Sequence, residues 1–342
     1  MAEKATSGRA SSADEKQPDA KVLAKAASKP PPRPKTELAE YITQFLEYCE
    51  VERQLSRLTL RNYDHYLSRF ARWGAKHGVT APKDITIDAV RSFRLWLNRQ
   101  PNQNGGELGR LTQNYHVIAI RAILKYLARR DVKTLSADKI ELGKTERRSV
   151  EFLTGEEVER LLEAAGTKDT FTSLRDRAIL ELLYSTGLRV SELCALDTDQ
   201  VNAERGEFMV RGKGDKPRIV FLSERAAGFL AAYLGKRRAA MRPLLTRSAE
   251  PAGREADGSD LRLTSRSVQR ILKKYTAAAG LVKDVTPHTL RHSFATGLLR
   301  SGADIRSVQQ MLGHASITTT QVYTHVTNPQ LREVHKKFHG KS

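Results

Sequence analysis

The chain of 342 residues carries 58 lysines and arginines against 39 aspartates and glutamates, a formal charge of +19, with 39% hydrophobic residues and only two cysteines, Cys49 and Cys194. That length supports roughly two domains of about 100–200 residues, each with a real core. Two distant cysteines build no disulfide framework and cannot alone fill a structural zinc site, and the longest apolar run, around 226–234, is far short of the ~20 residues of a membrane span, which sets aside secreted, disulfide-rich and membrane-inserted classes.

A reduced, intracellular protein is therefore expected. The positive excess points to a polyanion, nucleic acid first, because each lysine or arginine that neutralises a phosphate releases condensed counterions. Solubility alone is the bland alternative, and charge by itself names no chemistry.

Residues 1–36 are rich in Ala, Ser, Lys and Pro, lack apolar periodicity and hold eight basic against four acidic residues, so they read as a disordered basic tail. From 37 to 130 the pattern is helical. Leu38, Tyr41, Ile42, Phe45, Leu46 and Cys49 recur at three- and four-residue steps, and the segments 59–77, 87–99 and 112–130 repeat that stripe, predicting a four-helix domain. Its polar faces carry Arg53, Arg57, Arg61, Arg69, Arg72, Lys76, Arg110, Arg121 and Lys125, a phosphate-tracking surface or an ordinary solvated one. Residues 131–150, basic and without a sustained stripe, read as a linker. Thr154 and Glu157 form a capping box that opens a second domain spanning 151–342.

In that domain, 174–184 is an apolar helix ended by Gly187, with Arg175 and Asp176 read as helix-surface ions. Segments 207–211 and 218–222 read as two strands of a hairpin whose tip is Gly212-Lys213-Gly214-Asp215-Lys216. A polar loop follows at 245–261, then helices from Ser265, Pro287, Asp304 and Ser316. The fold class is mainly α with a small antiparallel β-sheet.

The common catalytic signatures fail: no phosphate-binding Gly-x-x-x-x-Gly-Lys loop, no Gly-x-Ser-x-Gly elbow, no His-Glu-x-x-His pair, and no carboxylate cluster that reads as a magnesium site. One constellation remains. Thr286 is placed to cap a helix that begins at Pro287, so His288 and Arg291, three residues apart, lie in a first turn whose dipole favours an anion. Further on, Leu312-Gly313-His314 closes one helix, and the next presents Tyr323.

These residues resemble the catalytic region of the tyrosine recombinases, within them the Xer and phage-integrase group. The likeness rests on five segments in the family's order: 186–193 (Thr-Gly-Leu-Arg-Val-Ser-Glu-Leu), 212–214 (Gly-Lys-Gly), 288–296 (His-Thr-Leu-Arg-His-Ser-Phe-Ala-Thr), 312–314 (Leu-Gly-His) and 318–326 (Thr-Thr-Thr-Gln-Val-Tyr-Thr-His-Val). It covers about 150 to the end strongly and 37–130 more weakly, leaving the tail outside.

The resemblance implies an N-terminal four-helix, SAM-like core-binding domain and a C-terminal catalytic domain that close on DNA as a C-shaped clamp. It makes Tyr323 the nucleophile that leaves a 3′-phosphotyrosyl bond and a free 5′-hydroxyl, with Arg189 and Arg291 on the non-bridging oxygens. Lys213 protonates the departing 5′-oxygen, and His288 and His314 transfer protons or hydrogen-bond the phosphate. Glu192, His292 and His325 support them. No cofactor or metal is implied. The implied partners are double-stranded DNA with paired half-sites, a homotetramer or a heterotetramer with a second recombinase, and a DNA translocase as activator, in the cytoplasm at the nucleoid and with no membrane. A helix at about 329–339 packs on a neighbouring protomer. Xer-like resolution of chromosome or plasmid dimers is the first expectation; a mobile-element integrase, a type IB topoisomerase and a catalytically dead DNA-binding protein are the alternatives.

Overall fold

A computed structural model of the chain describes residues 32–101, 105–144, 151–212, 216–238, 240–250 and 255–313. The expectations for most of the tail, for Lys213, His314, Tyr323 and His325, for the helix from Ser316 and for the segment 329–339 lie outside the described residues. The chain forms two compact units that divide between Arg147 and Arg148.

The first unit contains helices α1 (Glu37–Val51), α2 (Arg57–Ala75), α3 (Ile87–Asn98) and α4 (Arg110–Ala128). Thr36, Ser56 and Thr86 each accept a hydrogen bond from the main-chain N–H three residues on, satisfying donors that the first turns of α1, α2 and α3 leave open. The apolar stripes meet in one core that includes Leu38, Ile42, Phe45, Phe70, Phe93, Ile120 and Leu127. His116 is fully buried in it: one ring nitrogen hydrogen-bonds the Thr112 carbonyl at 2.8 Å, while Nε2 has no partner among the described residues. Residues 132–143, read from sequence as part of a linker, belong to this unit. Ala137 and Ile140 enter its core, and the Asn114 side chain both donates to the Gly143 carbonyl and accepts from its N–H, at 2.8 and 3.1 Å. Two apolar residues and one amide clamp are too sparse a pattern to show as periodicity.

The second unit is built around α6 (Phe171–Thr186), preceded by α5 (Gly155–Glu163) and followed by α7 (Val190–Ala195). The Thr154/Glu157 capping box opens α5. Strands β1 (Glu207–Arg211) and β2 (Pro217–Phe221) pair antiparallel with Met209 opposite Ile219. Helices α8 (Glu224–Gly235), α9 (Ser265–Ala278), α10 (Pro287–Arg300) and α11 (Ile305–Leu312) complete it. α6 is buried on all sides, and this corrects the reading of Arg175 and Asp176 as surface ions. Asp176 is 2% exposed, accepts from Arg175 Nη2 at 2.6 Å and from the Tyr275 hydroxyl at 3.1 Å. Arg177 likewise pairs with Glu181 at 2.9 Å, and Glu181 also accepts from Arg225. A central helix can carry four charged residues because each meets an opposite charge there, whereas an unpaired one would be prohibitively costly. Among the described residues no helix is long and apolar enough to cross a membrane.

Candidate active site

Where α6 ends, Gly187 takes a left-handed conformation (φ 60°, ψ 23°) and its N–H returns to the Leu183 carbonyl. A Cβ at this position would lie 2.5 Å from a ring carbon of Phe294 and 3.1 Å from Leu312. Both the backbone region and the space therefore demand glycine. Gly187→Ala should cost about 2 kcal/mol or more, read as a lower urea midpoint with unchanged slope.

Two residues later, Arg189 starts α7. Its main-chain N–H donates to Glu192 Oε2 at 2.9 Å and its Nη1 to Glu192 Oε1 at 2.8 Å, so one carboxylate caps the helix and holds the guanidinium, which stays half-exposed. Arg218 of β2 donates to the same carboxylate at 3.1 and 2.7 Å, and through Nε to the Met311 carbonyl at 3.1 Å. Burial pulls the Glu192 pKa upward, but the hydrogen bonds from Arg218 and Arg189 outweigh it and hold the carboxyl at about 2.

Thr286 caps α10 and Pro287 occupies its first turn, as the sequence predicts. Arg291, 3% exposed, spans two helix ends: Nη1 donates to the Gly187 carbonyl at 2.5 Å and Nη2 to the Leu312 carbonyl at 2.6 Å. These are C-terminal carbonyls of α6 and α11, whose negative dipole ends suit a cation. α11 closes on Gly313, again left-handed. His288 stays exposed on the first turn. Desolvation of its ring, then the charges of Arg291 and Arg189, hold its pKa below that of a free imidazole. One turn deeper, His292 falls to about 4, by burial first and then by His288 and Arg291.

Of the sequence-derived site residues, Arg189, His288 and Arg291 come together with Glu192 and His292 around the junction of α6, α7 and α10. Lys213 and His314 directly follow Gly212 and Gly313; with Tyr323 they lie outside the described residues. Arg218 was missed. Period-two alternation puts it on the same side of β2 as the buried Val220, and an inward arginine requires a carboxylate, which Glu192 supplies. Among the described residues no group of three or more His, Cys, Asp or Glu side chains is arranged to hold a metal ion. Chemically, the accessible Arg189 guanidinium and His288 imidazole, with the buried charge of Arg291 beneath them, suit an anion with developing charge, such as a phosphodiester under attack.

The sequence matches the model of the phage integrase family over residues 151–329 and that of the phage integrase N-terminal SAM-like domain over 42–131. The chain belongs to the phage integrase family. This Xer-like tyrosine recombinase is 37% identical to tyrosine recombinase XerD of Oceanobacillus iheyensis over 308 residues, covering 89% of this chain and all of that one. It is 39% identical to XerC of Pelobacter propionicus over 308 residues, 89% of this chain and 97% of the relative. Its fold is shared with a XerH site-specific recombinase bound to palindromic difH substrate (23% identity, 86% and 84% of the two chains, TM-score 0.63). It is also shared with the Tn1549 transposon integrase in complex with a circular intermediate DNA (18% identity, 89% and 100%, TM-score 0.65). The recombinase thus has a mostly helical architecture with a SAM-like domain, a catalytic domain and a two-stranded sheet.

Proposed function

We propose that the recombinase cuts and rejoins duplex DNA at paired half-sites through Tyr323. The Tyr323 oxygen attacks phosphorus, a phosphotyrosyl bond forms to the 3′ side, and the bond to the 5′-oxygen breaks as Lys213 delivers its proton. The transition state gains a second negative charge. Arg189 and Arg291 meet it with forked donors that stay charged at every working pH, a task that divalent metals perform in many other phosphoryl-transfer enzymes. His288, held neutral near pH 7, accepts the tyrosyl proton, and His314 hydrogen-bonds the phosphate. Because the phosphotyrosine conserves the energy of the broken diester, a 5′-hydroxyl of a second DNA reverses the step without a nucleotide cofactor.

The observation that carries this reading is the seating of Arg291 on the Gly187 carbonyl, two residues from Arg189, with His288 feeling both charges. In the same reading, residues 37–130 bind DNA beside the catalytic domain at 151–342, the 1–36 tail adds a nonspecific tether, and four protomers, alike or of two kinds, assemble on two sites. The segment 329–339 links neighbouring protomers. The role proposed is resolution of chromosome or plasmid dimers in the cytoplasm, with a DNA translocase as activator.

Footprinting on host DNA supplies the protected sequence for a synthetic duplex nicked near the exchange point. Incubated with the protein in EDTA and quenched with detergent, this duplex should give a covalent adduct. Peptide mapping should place it on Tyr323, linked to a 3′ end. An adduct on another residue, a 5′ linkage or a strict requirement for a divalent metal would overturn the proposal.

A further inference from the structure

Arg218 lies between the two arginines assigned to the phosphate without being one of them. Glu192 binds Arg189 through the main-chain N–H at 2.9 Å and Nη1 at 2.8 Å, and binds Arg218 through both terminal nitrogens at 3.1 and 2.7 Å. On its other side Arg218 Nε donates to the Met311 carbonyl, and the very next carbonyl, of Leu312, accepts from Arg291. Charge-assisted hydrogen bonds thus lead from Arg189 through Glu192 and Arg218 to the Met311 carbonyl, and the main chain at the end of α11 carries the path one residue on to the Leu312 carbonyl that Arg291 binds. Its middle is shielded: the side chains of Arg218 and Glu192 are each 8% exposed. Arg218 is also fitted to its place by glycines, since a Cβ on Gly212 would lie 3.1 Å from its Nη1 and one on Gly313 3.0 Å from its Cδ.

We propose that Arg218 is a positioning residue that sets the separation of Arg189 and Arg291 on the reacting phosphate, acting on the first through Glu192 and on the second through the end of α11. The proposal rests on the strand-transfer reading above. Two guanidiniums stabilise a developing dianion only if both sit at hydrogen-bonding distance from it together, and a misplacement of about 1 Å can cost on the order of a hundredfold in rate. A lysine in place of Arg218 keeps the charge but gathers its three donors on one nitrogen, unable to span both carboxylate oxygens and the Met311 carbonyl as the three separate guanidinium nitrogens do.

The test uses full-length protein and the nicked duplex under single-turnover conditions. Arg218→Lys should slow adduct formation by about tenfold or more at saturating protein, while Kd for the duplex stays within about twofold. Glu192→Gln and Arg218→Gln should each slow it, and their double mutant should be no slower than the slower single, because the two act as one unit. All rates are normalised to the folded fraction from urea unfolding. A wild-type rate in Arg218→Lys, single-mutant effects that multiply in the double mutant, or losses that disappear on normalisation or follow Kd would each overturn the positioning role. A wild-type protein that forms no adduct would overturn the strand-transfer reading beneath it.

Discussion

Tyr323→Phe should abolish the covalent adduct, whereas Arg291→Ala should slow it by about a hundredfold to a thousandfold and also destabilise the catalytic domain by about 3 kcal/mol. Removing the tyrosyl oxygen removes the bond-forming atom, so no residual adduct is expected. Arg291 has two tasks. In the proposed reaction its charge stabilises the phosphate, and in the structure it satisfies the Gly187 and Leu312 carbonyls at 2.5 and 2.6 Å. In alanine those two acceptors, at helix ends whose dipoles already concentrate negative charge, lose a cationic partner in a buried setting. Arg291→Lys can answer one carbonyl but not span both, so it should recover stability only in part. Adduct formation on the nicked duplex and urea midpoints for the three variants check this; an Arg291→Ala midpoint equal to wild type would contradict the structural half.

The second large effect is on stability against acid. His116 in the helical domain and His292 in the catalytic domain both have pKa values lowered to about 4, burial being the first cause in each. Between about pH 6.5, where the unfolded chain takes up these protons, and pH 4, where the folded chain does, unfolding binds protons that the native state refuses. Stability should therefore fall as pH drops through that window, by roughly 3 kcal/mol per histidine, and this contribution should change little further below it. Glu192 acts in the same direction but at lower pH. Its depressed pKa contributes stability that is complete above about pH 4.5 and is lost only toward pH 2, so the two kinds of group separate by range. Both tryptophans, Trp73 and Trp96, lie in the helical domain, which makes fluorescence a selective reporter of it. His116→Phe should flatten the loss of its urea midpoint between pH 7 and 4.5. An unchanged profile would show that His116 does not carry it.

Arg189, His288 and Arg291 were legible because helix punctuation surrounds them: Gly187 ends α6, Thr286 and Pro287 open α10, and the motif order supplied the rest. The helices of both domains were legible from their stripes. What local pattern cannot reveal is a partner far away in sequence. Asp176 looks like any surface acid until Tyr275 and Arg175 are seen enclosing it. Arg218 looks like one strand residue until Glu192, 26 positions earlier, and Met311, 93 positions later, are seen meeting it. Residues 132–143 failed as a linker for a related reason: their anchoring depends on Asn114, on another helix.

The seating of Arg291 on main-chain oxygens has a practical consequence for redesign. A guanidinium located by carbonyls at the ends of α6 and α11 takes its position from backbone atoms that every residue shares. Solvent-facing side chains along α11 can therefore be randomised, or the recombinase retargeted to a different sequence through its DNA-reading surfaces, without moving that arginine. The fixed points are Gly187 and Gly313, whose left-handed turns close the two helices. A mutant library that keeps both glycines should retain strand-cutting competence in far more of its members than one of equal size that varies them.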